Sequence, residues 1–393
     1  MESPGARHLP GTEHKTGTVK LDYIDSLRGI AALSIFFYHI YATIGGLTEW
    51  SFPISIIPER LIDLTLAGIP LFFIISSFTL YLSLDNRVSE EKKILKFYLR
   101  RLFRIAPLFY LLLIVVVLDA LLVQKKALYW REVLSNFTFT FNLVPQYSSS
   151  LFSDGWTVGV EMLFYLVLPL IFITVHTVRR SIILFIGIYW LSKYCRLLIG
   201  TMVGENVMMS TNYFFYNFFH WAYIFPIGII CYLIYKSYLP KIKTEYQSPA
   251  SLVMLSISFV ILLILINNIT ISMALFYVYE PLANLTSLMP MSSLAFVLLI
   301  LSLSLRSNRF IVNRFTRFYG TISYSLYLVH PFLITPLKPV YIYFYEHTIY
   351  STDLSLFFCV LLTLLIVTPV SLLTYHLIEV RGIKWGKKTL AKL

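Results

Sequence analysis

The sequence predicts an all-α integral membrane protein, a bundle of about ten transmembrane helices with both termini cytoplasmic. Three observations carry that expectation. Of 393 residues 58% are hydrophobic and 13% charged, and the mean hydropathy is +0.74, outside the profile of soluble globular domains. Apolar runs near the ~20 residues that a helix needs to cross a bilayer recur along the whole length, separated by short polar breaks. Basic residues gather in alternate breaks, which is the asymmetry that orients membrane helices. No room is left for a sizeable soluble domain.

Residues 1–20, "MESPGARHLPGTEHKTGTVK", are polar with no apolar stretch, and read as a flexible cytoplasmic tail rather than a cleavable signal. A transmembrane domain follows over 21–381. Its first two spans are expected at 23–46 and 61–84, and the basic break "NRVSEEKKILKFYLRRLFR" (86–104) places the start of the third, 105–123, on the cytoplasmic side. The fourth and fifth, 156–176 and 181–200, flank "HTVRR"; the sixth and seventh, 214–235 and 250–267, flank "YKSYLPKIK". The eighth, 287–305, and ninth, 319–342, flank "RSNRFIVNRFTR"; the tenth, 354–377, precedes "RGIKWGKK" and a basic cytoplasmic tail over 382–393. One break departs from the alternation: "QKKALYWR" (124–131) is basic in an outer loop, which points to a shifted boundary or an interfacial helix.

The formal charge of +12 sets topology and meets anionic headgroups in a protein of this class, and does not indicate nucleic acid. Membrane lipid is the expected partner. Cys195, Cys231 and Cys359 lie inside apolar segments without a CxxC pair, so neither a disulfide framework nor a metal site is expected from them. Asn136, Asn268 and Asn284 open glycosylation sequons in outer loops, a pattern that chance explains.

Ionisable groups inside the spans carry the functional information, because hydrocarbon penalises them by several kcal/mol. In "LDYIDSLRGIAALSIFFYHI" (21–40), Arg28 and His39 are eleven positions apart. On an α-helix that is about three turns, an offset of about 20° and a separation of about 16 Å along one face. Asp25, one turn before Arg28, can pair with it. A headgroup-snorkelling Arg28, a capping Asp25 and a His39 bonded within the bundle would account for the three equally well. Glu161 lies about one and a half turns inside the outer end of the fourth span, either as a structural partner of a cation or as the carboxylate that orients a catalytic histidine. Arg100, Arg101 and Arg104 share faces at spacings of three and four, suited to clamping phosphates or to anchoring the helix. Tyr324, Tyr327 and His330 form a stripe on the ninth span, and Pro331 beside it frees a backbone carbonyl.

Taken together these segments resemble the membrane-bound acyltransferase family 3. Asp25-Ser-Leu27-Arg28-Gly29-Ile-Ala31 with His39 is similar to that family's first helix, and "GIPLFFIISSF" (68–78), "RRLFRIAP" (100–107), "GWTVGVEMLFY" (155–165) and "SYSLYLVHPF" (323–332) resemble its later segments in order. Ser77, Thr157 and the "IEVR" at 378–381 depart from its usual Gly, Ser and post-glutamate Pro.

The resemblance implies transfer of an acyl group, usually acetyl from acetyl-CoA, to a carbohydrate hydroxyl, with acyl-CoA as donor substrate and no permanently bound cofactor; no metal and no appended esterase-like domain are expected in this sequence. Bacterial members decorate O-antigen, exopolysaccharide or related envelope glycans, so a multi-pass protein of the bacterial inner membrane with a carbohydrate acceptor, free or lipid-linked, is expected. On this basis His39 is the general base or an acyl carrier, and Glu161 orients its ring. Arg101 and Arg104, with Arg28, hold the acyl-CoA, while Trp156, Tyr327 and His330 line the acceptor side. A secondary transporter or glycan flippase also buries such groups, and would show paired helix interruptions in two related halves. A non-catalytic sensor or scaffold would show no acyl-CoA dependence.

Overall fold

The computed structural model describes residues 21–47, 64–144, 147, 149–203, 213–267, 283–347 and 352–393. The N-terminal tail and Asn268 lie outside them, and the Asn284 side chain is likewise not described. The described residues are helical, with no strand among them. In chain order the helices are α1 (Asp22–Leu47), α2 (Gly68–Asp85), α3 (Lys93–Leu118, continued by a π-helical turn Asp119–Val123), α4 (Trp130–Phe137), α5 (Gly155–Thr174), α6 (Val178–Val203) and α7 (Phe218–Ala222). The remainder are α8 (Ile224–Ser237), α9 (Thr244–Asn267), α10 (Ala283–Leu305), α11 (Arg314–Thr321), α12 (Ser323–His347), α13 (Thr352–Thr374, continued by a π-helical turn Tyr375–Glu379) and α14 (Val380–Leu390).

Among the described residues, eight segments are long and apolar enough to cross a membrane. Met289–Leu305 is apolar but shorter, and α12, with Pro331, Pro336 and Pro339, falls short on composition. Prolines inside α3, α5, α9, α10 and α13 do not end those helices, as is usual where neighbouring helices re-satisfy the freed carbonyls.

Burial separates a centre from a rim. Two-thirds (67%) of the apolar window of α2 is buried, against 6% for α6. Ile183, Trp190, Leu197, Leu252 and Phe259, on α6 and α9, are exposed apolar side chains, a surface that only lipid covers without cost. One apolar cluster is built on α2, α3, α5, α8 and α10, and a second on α1, α12 and α13. Helix α1 joins them by packing on α2, α11 and α12.

The α1–α11 contact explains the glycine that follows Arg28. A Cβ on Gly29 would collide with the Thr316 carbonyl, and one on Gly320 with the Asp25 carbonyl, so the two backbones touch, as small residues permit between membrane helices. Gly29→Ala is expected to lower the thermal midpoint of the purified protein, at a cost of about 1–3 kcal/mol. Gly45→Ala, where nothing lies within 4 Å, is expected to leave it unchanged. Ser77, a departure from the family pattern, is accommodated in the same way: its hydroxyl donates to Phe73 O (2.9 Å) and occupies the space that a Cβ on Gly228 would need.

Several expected boundaries move. The ninth span breaks at Ile322, because α11 is a separate helix with an Asn313–Thr316 capping box and the Ser323 hydroxyl donates to Gly320 O (2.9 Å) at the break. Helix α3 starts at Lys93, so the arginines at 100–104 are helical rather than part of a loop. Residues 125–129 of "QKKALYWR" are not helical, and α4 follows with Tyr129 and Trp130 exposed. From residue 382 the expected tail continues as helix to Leu390, with Gly382 and Gly386 packed on Phe103 of α3. The Asn136 side chain is buried and bonded to Glu132 O, Ser150 and the Leu151 amide, which removes it from glycosylation. All three cysteines are free.

The break before α3 holds a latch. Arg100 donates to both oxygens of Glu90 (2.9 and 2.8 Å), and that hydrogen bonding holds the Glu90 carboxyl below its ordinary range. A lowered folded value means stabilisation present above the unfolded pKa of about 4.3 and lost as pH falls through the folded one. Because the pair is partly solvated, Glu90→Gln is expected to cost less than about 1 kcal/mol at neutral pH. Thermal unfolding is expected to show the difference closing below about pH 4.

Candidate active site

Helices α1, α2, α3, α5 and α12 surround a cavity of ≈ 790 Å³, open solvent at its mouth included. One part is cationic. Arg28, Arg101 and Arg104 line it, together with Thr79, to which an Arg28 amine donates at 3.2 Å. Asp25 stands 3.9 Å from Arg28 as the i,i+3 spacing predicts. The Arg101 Nε is buried without a hydrogen-bond partner. Arg100 faces Glu90 instead, so of the two possible arginine pairs the structure selects Arg101 and Arg104.

The middle of the cavity is polar. Half-buried Glu161 accepts from the Tyr165 hydroxyl (2.9 Å), which lies 3.2 Å from Ser76 Oγ. Tyr324 donates to Ile105 O (2.7 Å). Thr157 and Tyr327, hydroxyl to hydroxyl at 3.0 Å, form another part of the lining.

One helical turn from Thr157 on α5 is Asp154, and one turn from Tyr327 on α12 is His330. These two meet His39 of α1. His39 Nδ1 lies 2.8 Å from His330 Nε2, and Asp154 Oδ2 lies 3.5 Å from the first nitrogen and 3.3 Å from the second. His330 is fully buried and Asp154 nearly so, whereas the His39 side chain is 27% exposed. The partners fix the tautomers. His330 Nδ1 contacts Leu326 O at 3.0 Å, and a carbonyl only accepts, so Nδ1 carries the hydrogen and Nε2 of the neutral ring is a lone pair. His39 Nδ1 must then donate, which leaves His39 Nε2 as a basic lone pair.

The profile of a protein family described as "Acyltransferase domain" matches residues 21–375, which span the arginine cavity and the histidine cluster alike. The chain belongs to membrane-bound acyltransferase family 3. This acyltransferase is also 28% identical over 317 residues, 78% of its own length and 81% of the relative's, to a protein of Acidianus two-tailed virus named "Putative acetyltransferase ORF330". No solved structure matches it.

In the acyltransferase the expected site residues fall into three groups. Arg28, Arg101, Arg104, Glu161 and Tyr327 line one cavity; His39 and His330 form the neighbouring pair; Trp156 belongs to neither. Two expectations are corrected. Glu161 is not the carboxylate beside His39: it is seven residues beyond Asp154 on α5, about 10 Å along the axis, and faces Tyr165 and the arginine end. The carboxylate on the histidines is Asp154, which reads in sequence as an ordinary helix cap. It stands at the N-cap of α5 without making a side-chain cap bond, because the side chain is turned to the imidazoles. Trp156 does not line the cavity, because its ring is packed on Phe215, Tyr216 and Trp221. His330 contacts His39 at 2.8 Å. Sequence reading also missed Ser76, Thr79 and Tyr165, which carry no signal beyond a polar group on an apolar helix.

Proposed function

We propose that the chain transfers an acetyl group from acetyl-CoA, entering at the cytoplasmic side, to a hydroxyl of a cell-envelope carbohydrate such as an O-antigen or exopolysaccharide unit. The observation that carries this reading is one continuous feature: a cavity with three arginines whose Thr157–Tyr327 wall lies one helical turn from a hydrogen-bonded histidine pair. Arginines suit the CoA phosphates, which they bind bidentately. A neutral imidazole suits a hydroxyl, which is a poor nucleophile until a base removes its proton.

In this mechanism His39 Nε2 takes the acceptor's hydroxyl proton as the oxygen attacks the thioester carbonyl. The tetrahedral intermediate collapses with loss of the CoA thiolate, and the imidazolium returns the proton to that sulfur. The donated bond to His330 holds the His39 ring in the useful tautomer, and the Asp154 carboxylate stabilises the imidazolium as it forms. The Tyr327 hydroxyl is positioned to donate to the developing oxyanion. Glu161 balances the charge of the arginines that hold the donor.

This division of labour separates two carboxylates. Asp154→Asn is expected to lower kcat at least tenfold with little change in the KM for acetyl-CoA, whereas Glu161→Gln is expected to act mainly on that KM. Steady-state kinetics on the purified protein, with acetylated glycan read by mass spectrometry, checks both; the reverse pattern would return Glu161 to the histidine. Acetyl-CoA turnover by the purified chain also excludes a flippase or a sensor, neither of which consumes the thioester.

A further inference from the structure

The histidine cluster has one hydrogen for three converging atoms, His39 Nδ1, His330 Nε2 and Asp154 Oδ2. His330 Nε2 has none of its own, since that ring's hydrogen is committed to Leu326 O. Asp154 Oδ2 is buried and makes no hydrogen bond, although it lies 3.3 Å from His330 Nε2. The His39 Nδ1 hydrogen points to His330 at 2.8 Å, so a carboxylate oxygen and an imidazole lone pair face each other away from water with nothing positive between them. Such an arrangement is costly unless a proton on the carboxyl or a metal cation occupies its centre.

We propose that His39 Nδ1, His330 Nε2 and Asp154 Oδ2 form a binding site for a divalent first-row transition ion of the zinc class, with a fourth position open. Among the described residues this is the group of His, Cys, Asp and Glu side chains close enough together to hold one. The 3.3 and 3.5 Å separations match the ~3.3 Å edge of a tetrahedron with bonds of about 2.0–2.1 Å. The His39–His330 contact has to open by about half an ångström. Outer contacts are already in place: His330 donates its other ring hydrogen to a backbone carbonyl, and Ser153 donates to Asp154 Oδ1 (3.2 Å), as is usual around metal ligands. Two imidazoles and one carboxylate favour zinc or cobalt over magnesium or calcium.

The consequence for activity rests on the proposed function. An ion on Nδ1 leaves the ring hydrogen on Nε2, so His39 can no longer accept a proton and the loaded protein is silent. The test uses the full chain in nanodiscs, stripped with chelator and dialysed against Co2+, with metal per chain measured by plasma mass spectrometry and coordination by visible absorption. One Co2+ per chain with a tetrahedral d–d band is expected. Asp154→Asn and His330→Gln are expected to lose it, and the exposed His376→Gln to keep it. Cobalt no higher than in empty nanodiscs, or retained equally by the two ligand variants, overturns the site. The wild-type spectrum stands even if a variant fails to fold. Loading is expected to reduce acetyl-CoA turnover at least tenfold, reversibly with chelator; a loaded chain at full rate overturns the base role of His39 and leaves the metal site standing.

Discussion

Replacing His39 by alanine is expected to lower acetyl transfer by ~10²–10⁴-fold, the usual contribution of a general base, with the protein still inserted and folded. His39 contributes an imidazole lone pair, on Nε2, since its Nδ1 hydrogen is engaged by His330 at 2.8 Å. Its side chain is partly exposed, and truncation leaves the surrounding packing of Ile35, Phe36 and Ile40 in place. The measurement is O-acetyl on surface glycans of a host lacking the activity, with the variant matched to wild type for membrane yield and thermal midpoint. Full acetylation by a well-inserted variant would sink the mechanism. His39→Gln distinguishes base from spacer: glutamine restores a donor toward His330 but supplies no basic nitrogen, so it is expected to be as inactive as alanine.

The second large effect is expected at Arg101. Its Nε is buried and unpartnered in the cavity that Arg28 and Arg104 share, a group whose hydrogen bond is left for a ligand. Hydrogen bonds to charged groups are worth about 1.5–3 kcal/mol, so Arg101→Ala is expected to raise the KM for acetyl-CoA roughly 10- to 150-fold with a smaller change in kcat. Arg101→Lys keeps the charge without the planar fork and is expected to recover only part of the loss. Arg100→Ala is the matched control: Arg100 is bound to Glu90 outside the cavity, and its KM effect is expected to stay within about threefold. Equal effects at Arg100 and Arg101 would show that general basicity, rather than this cavity, attracts the donor.

Parts of the site were legible in sequence because they lie along single helices. The eleven-residue interval between Arg28 and His39, the i,i+3 pair of Arg101 and Arg104, and the Tyr324–Tyr327–His330 stripe each follow from one helical repeat, and each is a feature of the folded chain. Asp154 was not legible for the same reason. Its partners come from α1 and α12, and the rotation and depth at which α5 meets them are fixed by packing between helices, on which the local sequence is silent. Glu161 attracted the role because a carboxylate inside a span is conspicuous, while one at a helix start looks like a cap.

The break at Ile322 follows the same rule. Hydropathy reads 319–342 as continuous, whereas α11 and α12 meet at Ile322, close to the contact of Gly320 with Asp25. Composition by itself determined that this is an all-α membrane protein, since only helices satisfy their backbone within hydrocarbon when no barrel pattern is present. Ordered motifs determined its family, and helical periodicity determined which charges share a face. Tertiary structure alone decided which carboxylate meets which base, because that choice depends on distances of about 3 Å between side chains from three different helices. Whether those side chains meet depends on a single turn of relative depth, about 5.4 Å.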